Sequence, residues 1–424
     1  MKTTVAQVRS FNRPIQLLLV NQLTINIGFY MLMPYLANHL SKDLGLAVWL
    51  VGLILGVRNL SQQGMFLVGG SLADRIGYKP MILAGLVLRT VGFAMLGLVD
   101  SVPALIVASA LTGLAGALFN PAARAYLAQE AGDRKVDAFA VFNVFYQMGI
   151  LIGPLIGLLL HGMAFRVICL VAAALFAILA VAQARALPAR EGTRAEAGGT
   201  MFGDWRQVMG NRGFLLFSLA MIGSYVLNFQ IYLGLPIEIR RVTSGELGVT
   251  LLFVLSGALA MFGQVRLTGW VKSRWSAQQA IVRGLTLMGM SFLPLAIFSS
   301  LPWTPSAGTS PPAYALVLTP VLMTAGMLSI ATMIVYPFEM TIIATIGGDR
   351  MVGTYYGFYN TVSGVGIAAG NVLTGAALDA GRELGVRSLP WWGLVVLGMA
   401  CATALRALGR TGRMNPSGLE PVKA

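Results

Sequence analysis

Charged residues, cysteine and histidine are all scarce in this chain. Of its 424 residues, 11% are charged and 56% are hydrophobic, and the mean hydropathy is +0.75. A soluble domain of this composition would expose more apolar surface than it could cover, so lipid is the expected solvent. The two cysteines, Cys169 and Cys401, and the two histidines indicate neither a disulfide framework nor a metal site.

Motifs for nucleotide chemistry are also missing from the sequence. It contains no phosphate-binding loop with its lysine and no cluster of cysteine and histidine. We therefore expect no cofactor, no bound metal and no enzymatic activity.

Twelve apolar segments, each long enough to cross a bilayer as a helix of ~20 residues, make up most of the chain. They predict an all-α membrane protein with twelve transmembrane helices. The segments are 15–37, 47–72, 80–99, 103–127, 138–162, 167–187, 213–237, 247–271, 280–300, 313–338, 352–377 and 389–408.

Basic residues indicate how these helices are oriented. The net charge is +14, and most of the 30 Lys and Arg fall in the tails and loops on one side of the predicted helices. This bias marks the cytoplasmic side, which places both termini in the cytoplasm and the chain in the cell (plasma or inner) membrane. It also explains the charge without a nucleic-acid partner. Lys2, Arg9 and Arg13 precede the first segment without a cleavage pattern, so we expect a membrane helix and not a removed signal peptide.

The two halves of the chain repeat each other. The sets that recur at a constant offset include Asn26, Tyr30 and Pro34 with Asn228, Tyr232 and Pro236, and Gly64, Gly70 and Arg75 with Gly263, Gly269 and Arg274. This duplication predicts two pseudo-symmetric six-helix bundles, 1–187 and 213–424, joined by a polar cytoplasmic linker over 188–212. Two such halves that rock about a midplane site give alternating access.

The stretch GGSLADRIGYK, residues 69–79, joins the second and third segments. Its glycines allow close backbone contact, and Asp74 places a negative charge at the cytoplasmic rim. We expect Asp74 to face the N-terminal end of the eleventh helix, which carries about half a unit of positive charge. The stretch resembles the signature loop between helices 2 and 3 of the major facilitator superfamily. That resemblance implies a gating role for Gly70, Asp74, Arg75, Gly77 and Lys79.

The stretch GILIGPLIG, residues 149–157, lies in the fifth segment. Gly149, Gly153 and Gly157 form a groove that another helix can approach closely, and Pro154 removes a backbone donor and bends the helix. Ordinary helix packing is one interpretation. Alternatively, the stretch resembles the exporter-associated motif of drug/proton antiporters. Together the two motifs resemble the twelve-span drug/proton antiporters, particularly the multidrug exporters of enteric bacteria.

Ionisable groups inside the bilayer are costly and are therefore candidates for energy coupling. Arg58 and Arg89 lie near the middle of the second and third segments, and Glu339, just past Pro337, is the acid expected to be embedded at the cytoplasmic end of the tenth. In the fold that the resemblance implies, spans one, four, seven and ten line the cavity, so Arg124 is expected to meet Glu339 at the inner mouth. Snorkelling of Arg124 and Glu339 to the headgroups, and helix packing by Arg58 and Arg89, are the alternatives.

Two helical stripes mix amides, aromatic rings and thioethers, a combination that suits the binding of amphipathic molecules. Ordinary core packing would also explain them. The residues are Gln22, Asn26, Phe29, Tyr30 and Met33 in the first segment, and Met221, Tyr225, Asn228 and Tyr232 in the seventh.

Taken together, these features predict a monomeric secondary transporter that exports small amphipathic compounds of the multidrug type in exchange for protons. One alternative is a dedicated exporter of an organic anion or lipid-like metabolite, which the two central arginines favour. The other is a membrane-embedded protein that does not transport.

Overall fold

The computed structural model describes residues 2–160, 165–188, 200–243, 247–300, 311–348 and 351–410. Within these ranges the regular structure is helical, with sixteen α-helices. They are α1 Lys2–Arg9, α2 Arg13–Asn38, α3 Val48–Ile76, α4 Tyr78–Leu98, α5 Val102–Ala131, α6 Lys135–Leu159, α7 Phe165–Ala186, α8 Met201–Gly210, α9 Arg212–Phe229, α10 Gly234–Val242, α11 Leu247–Lys272, α12 Ala277–Met290, α13 Leu293–Phe298, α14 Pro311–Gly347, α15 Val352–Glu383 and α16 Leu389–Arg410.

Long apolar runs form helices here because lipid offers no partner for backbone N–H and C=O groups, which must therefore pair within their own segment. Ten helical stretches in the described part of the chain are long and apolar enough to cross a membrane. One of them, Val102–Gly157, contains two predicted segments, and α3, with 29 residues, carries another. Each of the twelve predicted segments therefore overlaps helical structure in the described part of the chain.

The first of two compact units comprises residues 1–211 and 341–361, so it includes the end of α14 and the start of α15. In its core α5 packs against α3 and α4, α4 packs against α7, and α2 packs against α6. Phe93 and Phe176, both fully buried, meet edge to face with 5.0 Å between ring centroids. These contacts hold the predicted signature loop and the arginine-bearing helices on one framework.

The second unit comprises residues 212–340 and 362–424. Here α12 and α16 make close backbone contact at Gly289 and Gly398, and α9 also packs against α16. Trp391 is fully buried and stacks on Phe292, with ring centroids 6.3 Å apart. The boundaries 1–187, 188–212 and 213–424 expected from the sequence stay a prediction.

The prediction of one continuous helix over 213–237 is wrong. α9 ends at Phe229, and a turn closed by a 2.9 Å hydrogen bond from Leu235 N to Gln230 O leads into α10. Pro236 explains the break, because in a continuing helix it could not donate to Tyr232 O and its ring would meet that carbonyl. Tyr232 therefore lies in the turn and not on the predicted helical stripe.

The ninth predicted segment also divides, into α12 and α13, at Ser291 and Phe292. Pro294 lies in the first turn of α13, where its missing N–H has no helical acceptor to lose.

Candidate functional site

The signature loop is a sharp connection between α3 and α4. α3 ends at Ile76, and Gly77 alone separates it from α4 with φ 107°. This backbone conformation is strained for any residue with a Cβ, so the position requires glycine. Gly77 N donates to Ala73 O at 3.0 Å, which closes the last turn of α3. The turn fixes Asp74 at the end of α3.

Asp74 binds the start of α15. Its Oδ1 accepts from Gly353 N at 2.8 Å, and its Oδ2 accepts from Thr354 N at 2.6 Å and from Thr354 Oγ1 at 2.7 Å. Tyr78 Oη donates to Asp74 Oδ1 at 3.2 Å. The carboxylate is 3% exposed and faces backbone N–H groups that have no acceptor within α15. The predicted contact between Asp74 and the eleventh span is confirmed.

Glycines bring the two backbones together beside Asp74. A Cβ at Gly70 would overlap the carbonyl oxygen of Gly353, and a Cβ at Gly357 would overlap that of Phe66. Thr361 Oγ1 also donates to Gln63 O at 3.2 Å, so the contact between α3 and α15 runs over several turns. We call this contact, from Gln63 to Asp74 on α3 and from Gly353 to Thr361 on α15, the α3–α15 latch.

A short helix braces the latch. Arg75 Nε donates to Asp204 Oδ2 at 3.1 Å, and Trp205 Nε1 donates to Ser71 Oγ at 2.7 Å, so α8 contacts the last turns of α3. The polar composition of 188–212 predicts a linker, and a linker does not predict this contact. The signal available was Thr200, whose Oγ1 accepts from Gly203 N at 3.1 Å as an N-cap.

Lys79, the last residue of the predicted gating set, lies half-buried in the first turn of α4. Within the described ranges it makes no hydrogen bond or ion pair.

Arg124 on α5 also reaches α15. Its Nη1 donates to Asn360 Oδ1 at 2.7 Å, and both residues belong to the first unit. Glu339 lies in α14, 3% exposed, and α14 continues as one helix through Pro320 and Pro337. Glu339 belongs to the second unit, and its meeting with Arg124 stays a prediction.

The glycines of the predicted antiporter motif pack on α2. A Cβ at Gly149 would overlap the side chain of Asn26, and one at Gly153 would lie 2.8 Å from Tyr30 Cβ. Asn26 Nδ2 donates to Tyr146 O at 2.9 Å across the same contact. Asn26 and Tyr30, two members of the predicted cavity stripe, therefore pack against the glycines of the motif. Gly157 is buried, and Pro154 lies half-buried within the unbroken helix α6.

Arg58 and Arg89 lie among aromatic rings. The Arg58 guanidinium lies 4.4 Å from the centroid of Phe29, and it donates to Asn59 Oδ1 at 2.8 Å and to Gln62 Oε1 at 3.1 Å. Arg89 is 6% exposed, and its guanidinium lies 6.0 Å from the rings of Phe119 and of Phe176.

The remaining stripe residues have varied surroundings. Gln22 is buried, Phe29 and Tyr30 are half-buried, and the side chain of Met33 lies outside the described part. In the second unit Met221 is fully buried, Tyr225 is half-buried, and Asn228 Oδ1 accepts from Thr332 Oγ1 at 3.0 Å. Tyr232 is 41% exposed and lies beside Phe253, 5.8 Å between centroids.

Solved structures contain the same fold. The crystal structure of the human organic anion transporter MFSD10 (TETRAN) superposes with a TM-score of 0.71 over 93% of this chain and 99% of that one, at 16% identity. At that identity the likeness shows the fold alone.

Related sequences cover nearly the whole chain. An MFS-type transporter of Mycobacterium tuberculosis (strain CDC 1551 / Oshkosh) is 48% identical over 97% of each chain. The multidrug resistance protein MdtH of Sodalis glossinidius (strain morsitans) is 29% identical over 93% of each. The family model "Major Facilitator Superfamily" matches residues 18–371. This chain is therefore a multi-pass membrane transporter and not an enzyme, and it belongs to the Major Facilitator Superfamily.

Proposed function

We propose that this transporter exports small amphipathic compounds across the inner membrane by alternating access, in exchange for protons. The observation that carries the proposal is the α3–α15 latch, in which a buried carboxylate caps one helix and glycines allow two backbones to touch. The name of the relative MdtH, a multidrug resistance protein, supports the substrate class. The positive-inside bias supports cytoplasmic termini, and a single copy of the chain is the proposed working unit.

The latch would close the cytoplasmic side. Opening that side separates α3 from α15, and it exposes Asp74 and the N–H groups of Gly353 and Thr354 to water. Hydrogen bonds to a charged group contribute about 1.5–3 kcal/mol each in favourable settings, so the closed state is stabilised yet can be opened by a substrate or a proton. Arg124 and Asn360 add a second contact between α5 and α15.

Glu339 is the proposed proton carrier. It is buried, and it lies at the cytoplasmic end of the tenth predicted segment. Protonation makes a carboxyl neutral and lowers the cost of moving it through a low-dielectric region. Arg124 is the proposed partner whose approach would favour proton release.

Dedicated export of an organic anion or lipid-like metabolite is the second candidate function. Arg58 and Arg89 favour it, because both are cations held within helices of the first unit.

Transport into proteoliposomes tests the proposal. With the pH inside lowered, the purified chain is expected to accumulate a cationic or an anionic amphipathic dye, and collapse of the pH gradient is expected to stop accumulation while leaving counterflow exchange. Accumulation that ignores the pH gradient would contradict proton exchange. Failure to move any member of a drug and metabolite panel by counterflow would contradict the multidrug assignment.

A further inference from the structure

We propose that Arg58, backed by Arg89, binds the carboxylate of an amphipathic organic acid, with Phe29 as the platform for the apolar part of that ligand. This inference rests on the proposed transport function, and it names the chemical class of the substrate. Neither arginine is part of the latch, and this inference gives both of them a role in substrate binding.

The first step is a charge imbalance. The six predicted spans of the first half contain no Asp or Glu. The acids nearest to Arg58 and Arg89 along the chain are Asp43, Asp74 and Asp100, and all three lie outside the spans. Within the described ranges neither arginine forms an ion pair. A buried cation without a counter-charge is unfavourable in a low-dielectric interior, so an anionic ligand would be stabilised there.

The second step is depth. Arg58 precedes Asp74 by 16 residues in the same helix, which is about 24 Å along the axis. Arg89 follows Tyr78, the first residue of α4, by 11 residues, or about 17 Å. Measured from the latch end, Arg89 lies near the middle of a hydrocarbon core about 30 Å thick, and Arg58 lies about four-fifths of the way across it. Both positions fall within the core and not at the level of the lipid phosphates, so the expected anion is a transported solute.

The third step is hydrogen-bonding capacity. Arg58 donates only to the neutral amide oxygens of Asn59 and Gln62, and its buried Nε has no acceptor. Arg89 makes no hydrogen bond with any described residue, and its Nε is buried too. A carboxylate that displaces the two amides would accept two parallel bonds from the Arg58 fork.

The fourth step is the ring wall that joins the two cations. Phe29 lies 6.5 Å from Phe93, and Phe93 lies 5.0 Å from Phe176. Arg58 lies over the first ring of this row and Arg89 beside the last. Arg58 and Phe29 are half-buried and Asn59 is exposed, so a ligand has access from the Arg58 side. Arg89 is buried behind it and acts through its charge.

Binding of a matched acid and amide tests the site. The full chain, in discs of zwitterionic lipid, is titrated with 1-naphthylacetate and with the neutral 1-naphthylacetamide by calorimetry. The wild type is expected to bind the acid about tenfold or more tightly than the amide. Arg58→Gln is expected to remove that preference and leave amide affinity unchanged, and Arg89→Gln is expected to reduce it. Arg266→Gln, an exposed position on α11, is the control that keeps it.

Several outcomes would overturn the inference. Equal affinity of the wild type for acid and amide contradicts it, and so does an undiminished preference in Arg58→Gln. If the glutamine variant is not monodisperse, Arg58→Lys replaces it: the lysine keeps a charge without the fork, so unchanged acid affinity contradicts bidentate binding. Dye uptake by a wild type that lacks acid preference overturns this inference alone. Acid-selective binding without any transport overturns the proposed function and leaves the site standing.

Discussion

At the residue scale, Asp74 is the most tightly bound group of the latch. Its two carboxylate oxygens accept from two backbone N–H groups and two hydroxyl groups, and the residue is 3% exposed. The counterpart of Asp74 in the second half, at the offset that relates Arg75 to Arg274, is Ser273. Ser273 lies just past the end of α11, and its Oγ donates to Trp270 O in the last turn of that helix. The duplicated loops have therefore diverged, and one of them carries the carboxylate.

Asp74→Asn is expected to weaken the latch. The amide keeps the shape but loses the charge, and its NH2 group faces donors, so the closed state should lose about 1–3 kcal/mol, or roughly 5- to 150-fold in the closed-to-open ratio. The measurement is maleimide labelling of Ala128→Cys in a chain whose two native cysteines are replaced by serine. Ala128 is a buried position on α5, and the next residue, Gln129, is exposed. Asp133→Asn, at an exposed position, should label like the parent. Equal labelling of the Asp74 variant would contradict the latch.

The Asp74 contact could be predicted because it needs only a carboxylate at one helix end and N–H groups at another. The contact of Arg58 with Gln62, four residues on in the same helix, also follows from helical periodicity. Its contact with the Phe29 ring on α2 could not be predicted, because local periodicity does not encode which residues of another helix lie nearby. Likewise Met221 fits a helical stripe by spacing, but the spacing does not predict that its side chain is fully buried.

At the element scale, the spacing between α3 and α15 depends on glycine. Gly70→Ala is expected to separate the two helices, because its Cβ would overlap Gly353 O and overpacking of this kind costs about 1–3 kcal/mol. No hydrogen-bonding side chain is removed, so the change tests backbone contact alone. The readout is again labelling of Ala128→Cys, which should rise.

The internal repeat supplies the control for this change. Gly269 is the counterpart of Gly70, and a Cβ there has no neighbour within 4 Å. Gly269→Ala should therefore leave labelling unchanged and stabilise α11 by up to about 1 kcal/mol. If both alanine variants behave alike, close approach at Gly70 is not what holds the latch.

The bracing helix α8 gives a second prediction at this scale. Asp204→Asn removes the ion pair with Arg75. The Arg75 side chain is 24% exposed and the Asp204 side chain is 14% exposed. The loss is roughly 1 kcal/mol, so amides of α8 should exchange hydrogen about fivefold faster. Arg206→Gln, on the exposed face of the same helix, serves as the matched variant. Unchanged exchange in Asp204→Asn would mean that Trp205 and packing alone hold α8.

The positions of the helices could be predicted from the length of the apolar segments. The breaks within helices could not be predicted as well. The seventh segment was expected to be continuous because hydropathy alone does not register the effect of Pro236, whereas α14 stays continuous through Pro320 and Pro337. A proline removes one backbone hydrogen bond in either case, and whether the helix ends there depends also on tertiary packing, which hydropathy does not encode. The docking of α8 escaped prediction for the same reason.

At the scale of the whole molecule, a transporter couples two fluxes only if proton affinity depends on which side is open. Glu339 is a buried carboxyl in α14, and α14 is the helix whose last residues, from Thr341, belong to the first unit. We propose that the surroundings of this carboxyl change when the latch opens. We therefore expect its protonation to follow the conformational cycle.

Glu339→Gln tests this coupling, because glutamine is a permanent mimic of the protonated carboxyl and cannot release a proton. In proteoliposomes with an imposed pH gradient, accumulation of an amphipathic substrate is expected to fall to the level of protein-free liposomes, while downhill counterflow exchange remains measurable. Glu383→Gln, an exposed acid at the end of α15, should accumulate substrate like the wild type. Should the Glu339 variant still concentrate substrate against its gradient, the proton is carried by a loop acid, or another ion drives transport.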